Sequence, residues 1–196
     1  MNCRNCGAAM ELHAARRYFF CAHCGSFHFP ERVDAEVQVL GAPAAPAACP
    51  VCRVSLKAAV LDDRVEARYC EPCRGVLLSR ADFAHLVEAR RAWATTPPVT
   101  PLPLDRRELT RTLRCPGCGQ TLSVHPYYGP GNVVIDTCER CHLIWLDYGE
   151  LRQISDAPGR DRGRGSRLSP HSHEPPPDLL GILAARVARR EDDDDT

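Results

Sequence analysis

The apolar residues of this chain come in short bursts separated by polar and turn-forming positions. Three bursts predict strands that lead up to a cysteine: Tyr18–Phe20, Val65–Tyr69 and Val133–Asp136. The segment FHFPERVDAEVQVL alternates about Val33, Val37 and Val39 and predicts a further strand. PYYGPGN at 126–132 is turn chemistry between two strands. Helix signals are different in kind. Ser79 with Asp82 resembles a capping box opening ADFAHLVEARR, in which Phe83, Leu86 and Val87 share one face. Asp147 with Glu150 repeats the arrangement for a shorter helix carrying Leu151 and Ile154. Asp105 is expected to cap a brief helix over Arg106–Leu113.

Composition argues against one large core, because the 196 residues include 17 prolines and 13 glycines but only 6% aromatics. Modules of about 40 residues need an added staple, usually disulfides or a metal. The 12 cysteines supply one, as six Cys-x-x-Cys pairs with none left over: Cys3/Cys6, Cys21/Cys24, Cys49/Cys52, Cys70/Cys73, Cys115/Cys118 and Cys138/Cys141. A Cys-x-x-Cys turn aims two sulfurs at one point, and a second turn reached through two short strands completes a tetrahedron. Glycine after the second cysteine eases the backbone into left-handed space. Gly7, Gly25 and Gly119 fit this pattern, whereas Arg53, Arg74 and His142 depart from it, with Gly75 one residue late.

Successive pairs are separated by 14, 24, 17, 41 and 19 residues, and the long gaps contain GAPAAPAA and TTPPVTPLP. Such stretches favour extended, semi-rigid spacers. Pairing is therefore expected to be sequential, since an interleaved cross-brace would make each proline-rich gap cut through a site. The expected class is small metal-stabilised β structure: three tandem four-cysteine zinc ribbons with short flanking helices and a disordered C-terminal tail. The segments are a first ribbon at 1–40, a linker at 41–48, a second ribbon with its helix at 49–93, and a proline-rich linker at 94–104. A third ribbon with its helix follows at 105–156, then the tail at 157–196 with one candidate short helix over 178–190.

Three Zn2+ ions are the expected cofactors, with iron less favoured although a four-sulfur tetrahedron suits both metals. Closed sites of this kind keep no open position for a reacting water, so no enzymatic activity is expected. Formal net charge is zero, and no segment is strongly basic: residues 105–158, for example, carry six basic and seven acidic side chains. Four thiolates on one Zn2+ add a charge of about −2 per site, which weakens any general grip on phosphate. The N-terminal MNCRNCGAAMELH has no basic stretch followed by an apolar run, and no segment approaches the ~20 apolar residues of a membrane span. A cytoplasmic location, where thiols stay reduced, is expected.

The third module reads CPGCGQTL…VVIDTCERCHLIWLDYGEL, and with Ile144–Trp145–Leu146–Asp147 followed by Gly149–Glu150–Leu151 it resembles the bacterial zinc-ribbon family named after general transcription factor IIB. The second, CPVCRVSL…YCEPCRGVLLSRADF, looks like a diverged copy, and the first matches as a generic ribbon. The resemblance implies a zinc-ribbon fold and bound zinc but no particular activity. The expected function is a zinc-binding interaction or scaffold protein docking a protein partner. Nucleic-acid binding and a thiol-redox switch are the alternatives, and no membrane is expected as a partner. Trp145 is expected in the core, and Tyr127 and Tyr128 in an exposed turn are contact candidates.

Overall fold

The structure is a computed structural model that describes residues 1–30, 37–43, 45–62 and 64–165. Val33 and the apolar island at 178–190 lie outside the described residues. Met1–Arg164 form one compact unit, and only Gly165 of the second unit, Gly165–Thr196, is described.

The first ribbon has its own small antiparallel sheet, ordered β1 (Glu11–His13), β2 (Tyr18–Phe20) and β3 (Phe27–His28). A 3-10 turn at Ala14–Arg16 connects β1 to β2. Three strands of this length bury little, and aromatic packing supplies the contact: Tyr18 is buried, stacked on His13 at 4.8 Å and tilted against Phe27 at 5.4 Å.

The other strands make one seven-stranded antiparallel sheet. In chain order they are β4 (Val37–Gly41), β5 (Lys57–Leu61), β6 (Val65–Tyr69), β7 (Val76–Ser79), β8 (Ser123–Pro126), β9 (Val134–Cys138) and β10 (Leu143–Leu146). Their spatial order is β4-β5-β6-β7-β10-β9-β8. The second and third ribbons thus meet edge to edge at β7 and β10, with Val76 opposite Leu146, Leu77 opposite Trp145 and Leu78 opposite Ile144. Superposing Cys73 on Cys141 exchanges the first and last of these pairs and returns Leu77/Trp145 to itself. The two ribbons are therefore related by a pseudo-twofold axis through that pair, the arrangement of an isologous dimer within one chain.

Strand alternation assigns the two faces. Ala59, Leu61, Val65, Ala67, Tyr69, Val76, Leu78, Ile135, Ile144 and Leu146 pack against the helices α1 (Arg80–Ala92) and α2 (Glu150–Asp156). Leu77 and Trp145 face the other way, into a cluster with Leu56, Leu122 and the cysteines of the second and third ribbons. Trp145 is fully buried, as expected of a core residue. Gly75 serves that ring: a Cβ there would lie 2.2 Å from Trp145 Cζ2. Its counterpart across the pseudo-axis is Leu143, so a large-small pair on one side answers a medium-medium pair on the other.

Helix α1 begins as expected, with Ser79 Oγ accepting from the Asp82 backbone N–H at 3.0 Å and Phe83, Leu86 and Val87 buried. Arg91 is buried on the same helix. Its guanidinium donates to the Ile154 and Ala157 carbonyls at 2.7 and 2.9 Å and forks onto Asp161. It thereby satisfies carbonyls at the end of α2 and ties the two helices together. Residues 157–164, which open the segment expected as tail, are held by this contact and by Arg162, which donates to the Ser155 and Thr96 carbonyls. The proline-rich stretch after α1 is likewise tied back, through Val99 N–H to the Asp156 carbonyl and Asn132 Nδ2 to the Leu102 carbonyl. The brief helix expected at 106–113 is one 3-10 turn, Glu108–Thr110. Beyond it the backbone becomes extended at Arg111, and the Arg111 side chain is committed to Asp136 and Asp147.

Candidate metal centres

Each Cys-x-x-Cys pair is a tight knuckle. In the first five, the N–H of the first cysteine bonds the carbonyl five residues on, as in Cys3 to Ala8 at 2.8 Å and Cys70 to Gly75 at 2.9 Å. The carbonyl of the first cysteine accepts from the residue after the second, as in Gly7 to Cys3 at 2.9 Å and Arg74 to Cys70 at 2.7 Å. At the sixth knuckle, the equivalent step from Cys138 to Leu143 is part of the β9–β10 ladder. All six place the residue after the second cysteine in left-handed space: Gly7, Gly25 and Gly119, but also Arg53, Arg74 and His142 at φ 63°, 57° and 53°. The knuckle imposes this conformation on non-glycine residues at about 1–2 kcal/mol each. Arg74 has a use for it, since its guanidinium sits 4.2 Å from the Phe29 ring centroid and 5.7 Å from that of Tyr148.

The knuckles combine sequentially into three clusters: Cys3, Cys6, Cys21 and Cys24; Cys49, Cys52, Cys70 and Cys73; and Cys115, Cys118, Cys138 and Cys141. Within each, the four Sγ atoms lie within 4.8 Å of one another. Tetrahedral zinc with bonds of about 2.3 Å requires sulfur separations of about 3.8 Å. Cys3–Cys24 at 3.6 Å, Cys49–Cys73 at 3.7 Å and Cys118–Cys138 at 3.7 Å fit that spacing. Backbone N–H groups point at sulfurs in every centre: Asn5 to Cys3 at 3.4 Å, Cys52 to Cys49 at 3.2 Å, and Gly117 to Cys115 at 3.3 Å. Such donors favour thiolates. In the first centre the Ser26 hydroxyl and N–H draw the Cys24 thiol down to about 5. Four crowded sulfurs without a cation cannot all ionise, so the donor set suits a dication.

The turn after β10 carries a second buried arrangement. Asp147 Oδ1 accepts from Trp145 Nε1 at 2.9 Å, and Glu150 Oε2 accepts from the Asp147 N–H at 2.7 Å. Only this half of the expected capping box forms, because the other Asp147 oxygen bonds Arg16 at 2.9 Å and also Arg111. Arg16 reaches across from the 3-10 turn of the first ribbon and also meets Glu150 and Glu108, each at 2.6 Å. Burial would raise Asp147, yet Arg16 and Arg111 hold it at about 2. Burial raises Glu150 and brings Asp136 up to about 6, so four carboxylates around two guanidiniums do not titrate alike. Arg16 and Arg111 carry no sequence signal for this role. Tyr127 packs edge-on against Phe83 at 5.5 Å and so belongs to the core, whereas Tyr128 is 90% exposed.

Three closed tetra-cysteine sites on short antiparallel hairpins define a tandem zinc-ribbon protein, and the sites suit three Zn2+ ions. The family model described as transcription factor zinc-finger matches residues 48–89 and 114–157. Both matched segments are zinc ribbons of that family. The first ribbon lies outside the match. Neither a curated protein nor a solved structure matches the chain. Among the described residues, no helix is long and apolar enough to cross a membrane.

Proposed function

We propose that this chain is a non-enzymatic zinc scaffold that docks a protein partner in the cytosol, where a reducing poise keeps its 12 cysteines as ligands. The observation that carries protein over nucleic acid is where the arginines go. Arg16 and Arg111 serve the carboxylates of the Asp147 turn. Arg90 forks onto Asp62 with two bonds of 2.7 Å, Arg91 onto Asp161, Arg107 pairs with Asp105 and Arg80 with Glu139. A phosphate backbone is gripped by cations whose charge is not already matched nearby. Each filled centre adds about −2, which opposes that grip further. Four thiolates fill the tetrahedron of each centre and leave no site for a reacting water, which supports a structural role.

Exposed apolar side chains, among them Leu12, Leu40, Val99 and Tyr128, offer a protein partner contact area. The test is fluorescence anisotropy of the zinc-loaded chain with random single- and double-stranded DNA and RNA at low salt. No saturable binding at about 10 μM protein is expected, and tight binding that falls steeply with salt would replace this reading with the nucleic-acid one. The redox alternative draws on one further observation, the exposure of Cys6 and Cys24.

A further inference from the structure

The three centres are built differently. The second has three buried cysteines and one half-buried, and the third has two of each. The first has two buried and two exposed, Cys6 and Cys24, and no other centre has an exposed cysteine. The first centre also stands outside the seven-stranded sheet, on three strands of two or three residues. Between its two knuckles runs the turn that carries Arg16. Arg16 is 7% exposed, and it is the cation shared by Glu108, Asp147 and the fully buried Glu150. The contact also includes a cluster of rings, in which Phe29 lies 4.6 Å and Tyr18 6.3 Å from Tyr148 with Arg74 over Phe29 and Tyr148, and Phe27 packs against the cluster around Leu77 and Trp145.

We propose that the first centre is an oxidation-sensitive clasp, whose opening withdraws Arg16 from the Asp147–Glu150 turn while the second and third centres stay closed. The oxidant class is a hydroperoxide. An exposed thiolate, that of Cys6 or Cys24, attacks one oxygen of hydrogen peroxide. The O–O bond breaks, the sulfur becomes a sulfenic acid, and hydroxide leaves. A neighbouring thiolate then attacks that sulfur, forming the S–S bond and expelling a second hydroxide. Both hydroxides take protons from solvent to give water. Each disulfide thus consumes one peroxide and yields two electrons to it, so two equivalents convert the four thiolates to two disulfides. Cys6 and Cys21 at 3.5 Å, and Cys3 and Cys24 at 3.6 Å, are within reach of closure. Disulfide sulfurs are no longer metal ligands, and the first ribbon loses the bond that organises its strands. Glu150 then lacks its guanidinium, and a buried carboxylate without one draws in water. The turn that holds Trp145 Nε1 through Asp147 becomes open to solvent and to a partner.

The experiment uses the full zinc-loaded chain titrated with hydrogen peroxide. Zinc release is followed with a chromophoric chelator, disulfides are mapped by mass spectrometry, and backbone exchange is read at Tyr148–Leu151. One zinc equivalent should leave at least about tenfold faster than the other two. Disulfides should at that point be confined to Cys3, Cys6, Cys21 and Cys24, exchange at Tyr148–Leu151 should rise, and a dithiol with added zinc should reverse all three changes. The double variant C6S/C24S should hold two zincs and show the raised exchange without peroxide. Three zincs leaving together, the second or third centre opening first, or exchange at Tyr148–Leu151 unchanged after the first zinc is lost would each overturn the proposal. The wild-type titration decides the order of release without any substitution.

Discussion

The second and third ribbons share a sheet, whereas the first keeps three strands of its own and reaches the others through side chains. The difference lies in what each interface can do when a metal is lost. At β7 and β10, backbone ladders and the Leu77/Trp145 pair make either ribbon a wall of the other's core. At the first ribbon, the guanidiniums of Arg16 and Arg74 and a few rings make the join. A shared ladder couples two small modules into one cooperative unit, and a side-chain join lets the first ribbon open alone. Tandem repetition in sequence is therefore compatible with two levels of integration in one chain.

The largest expected effect is loss of metal. Removing zinc from the second or third centre should unfold the whole seven-stranded sheet, since each structural zinc contributes about 10 kcal/mol or more. Replacing Cys70 by Ser should therefore abolish the near-UV circular dichroism of both ribbons, while replacing Cys21 by Ser should leave it in place. An intact signal in demonstrably metal-free protein would break the comparison.

Next come the residues at each interface. Trp145→Ala should cost about 3–5 kcal/mol and sensitise both family ribbons to chelator, as measured by urea unfolding. Gly75→Leu should also destabilise, by about 1–3 kcal/mol, because the added side chain collides with the indole. The double variant Gly75→Leu/Trp145→Leu reproduces on this side the Leu143/Leu77 pairing across the pseudo-axis. It should recover at least about 1 kcal/mol relative to additivity. Arg16→Met should cost about 3 kcal/mol, felt as fraying of the first ribbon in hydrogen exchange rather than as unfolding of the shared sheet.

Much of this architecture was legible because it is local. The cysteine spacing carried the six knuckles and their sequential pairing, short apolar runs leading up to a cysteine carried β6 and β9, and Ser79 with Asp82 carried the start of α1. The segment ending in Val37 and Val39 was legible as a strand, but its place beside β5 was not, since edge choice depends on which strand is free. The union of β7 with β10 was hidden for the same reason: nothing within either ribbon announces a partner edge. Gly75 read as a displaced left-handed residue, yet Arg74 takes that conformation and Gly75 makes room for a ring from the other ribbon. Asp147 read as a helix cap, and its true partners include an arginine 131 residues away.

The smaller effects refine the family pair from within. Arg91→Met should cost about 2 kcal/mol by leaving the Ile154 and Ala157 carbonyls without their donor, and it should loosen residues 157–164 in exchange experiments. Ser79→Ala should cost about 1 kcal/mol by removing the cap of α1, with no change in zinc content.

Native mass spectrometry of the intact, reduced chain tests the central claim most directly, because one spectrum counts both the metal ions and the protons they displace. The account predicts a single dominant species with three zincs and no disulfide. A chain carrying disulfides in place of metal, or saturating at fewer than three zincs, would contradict it.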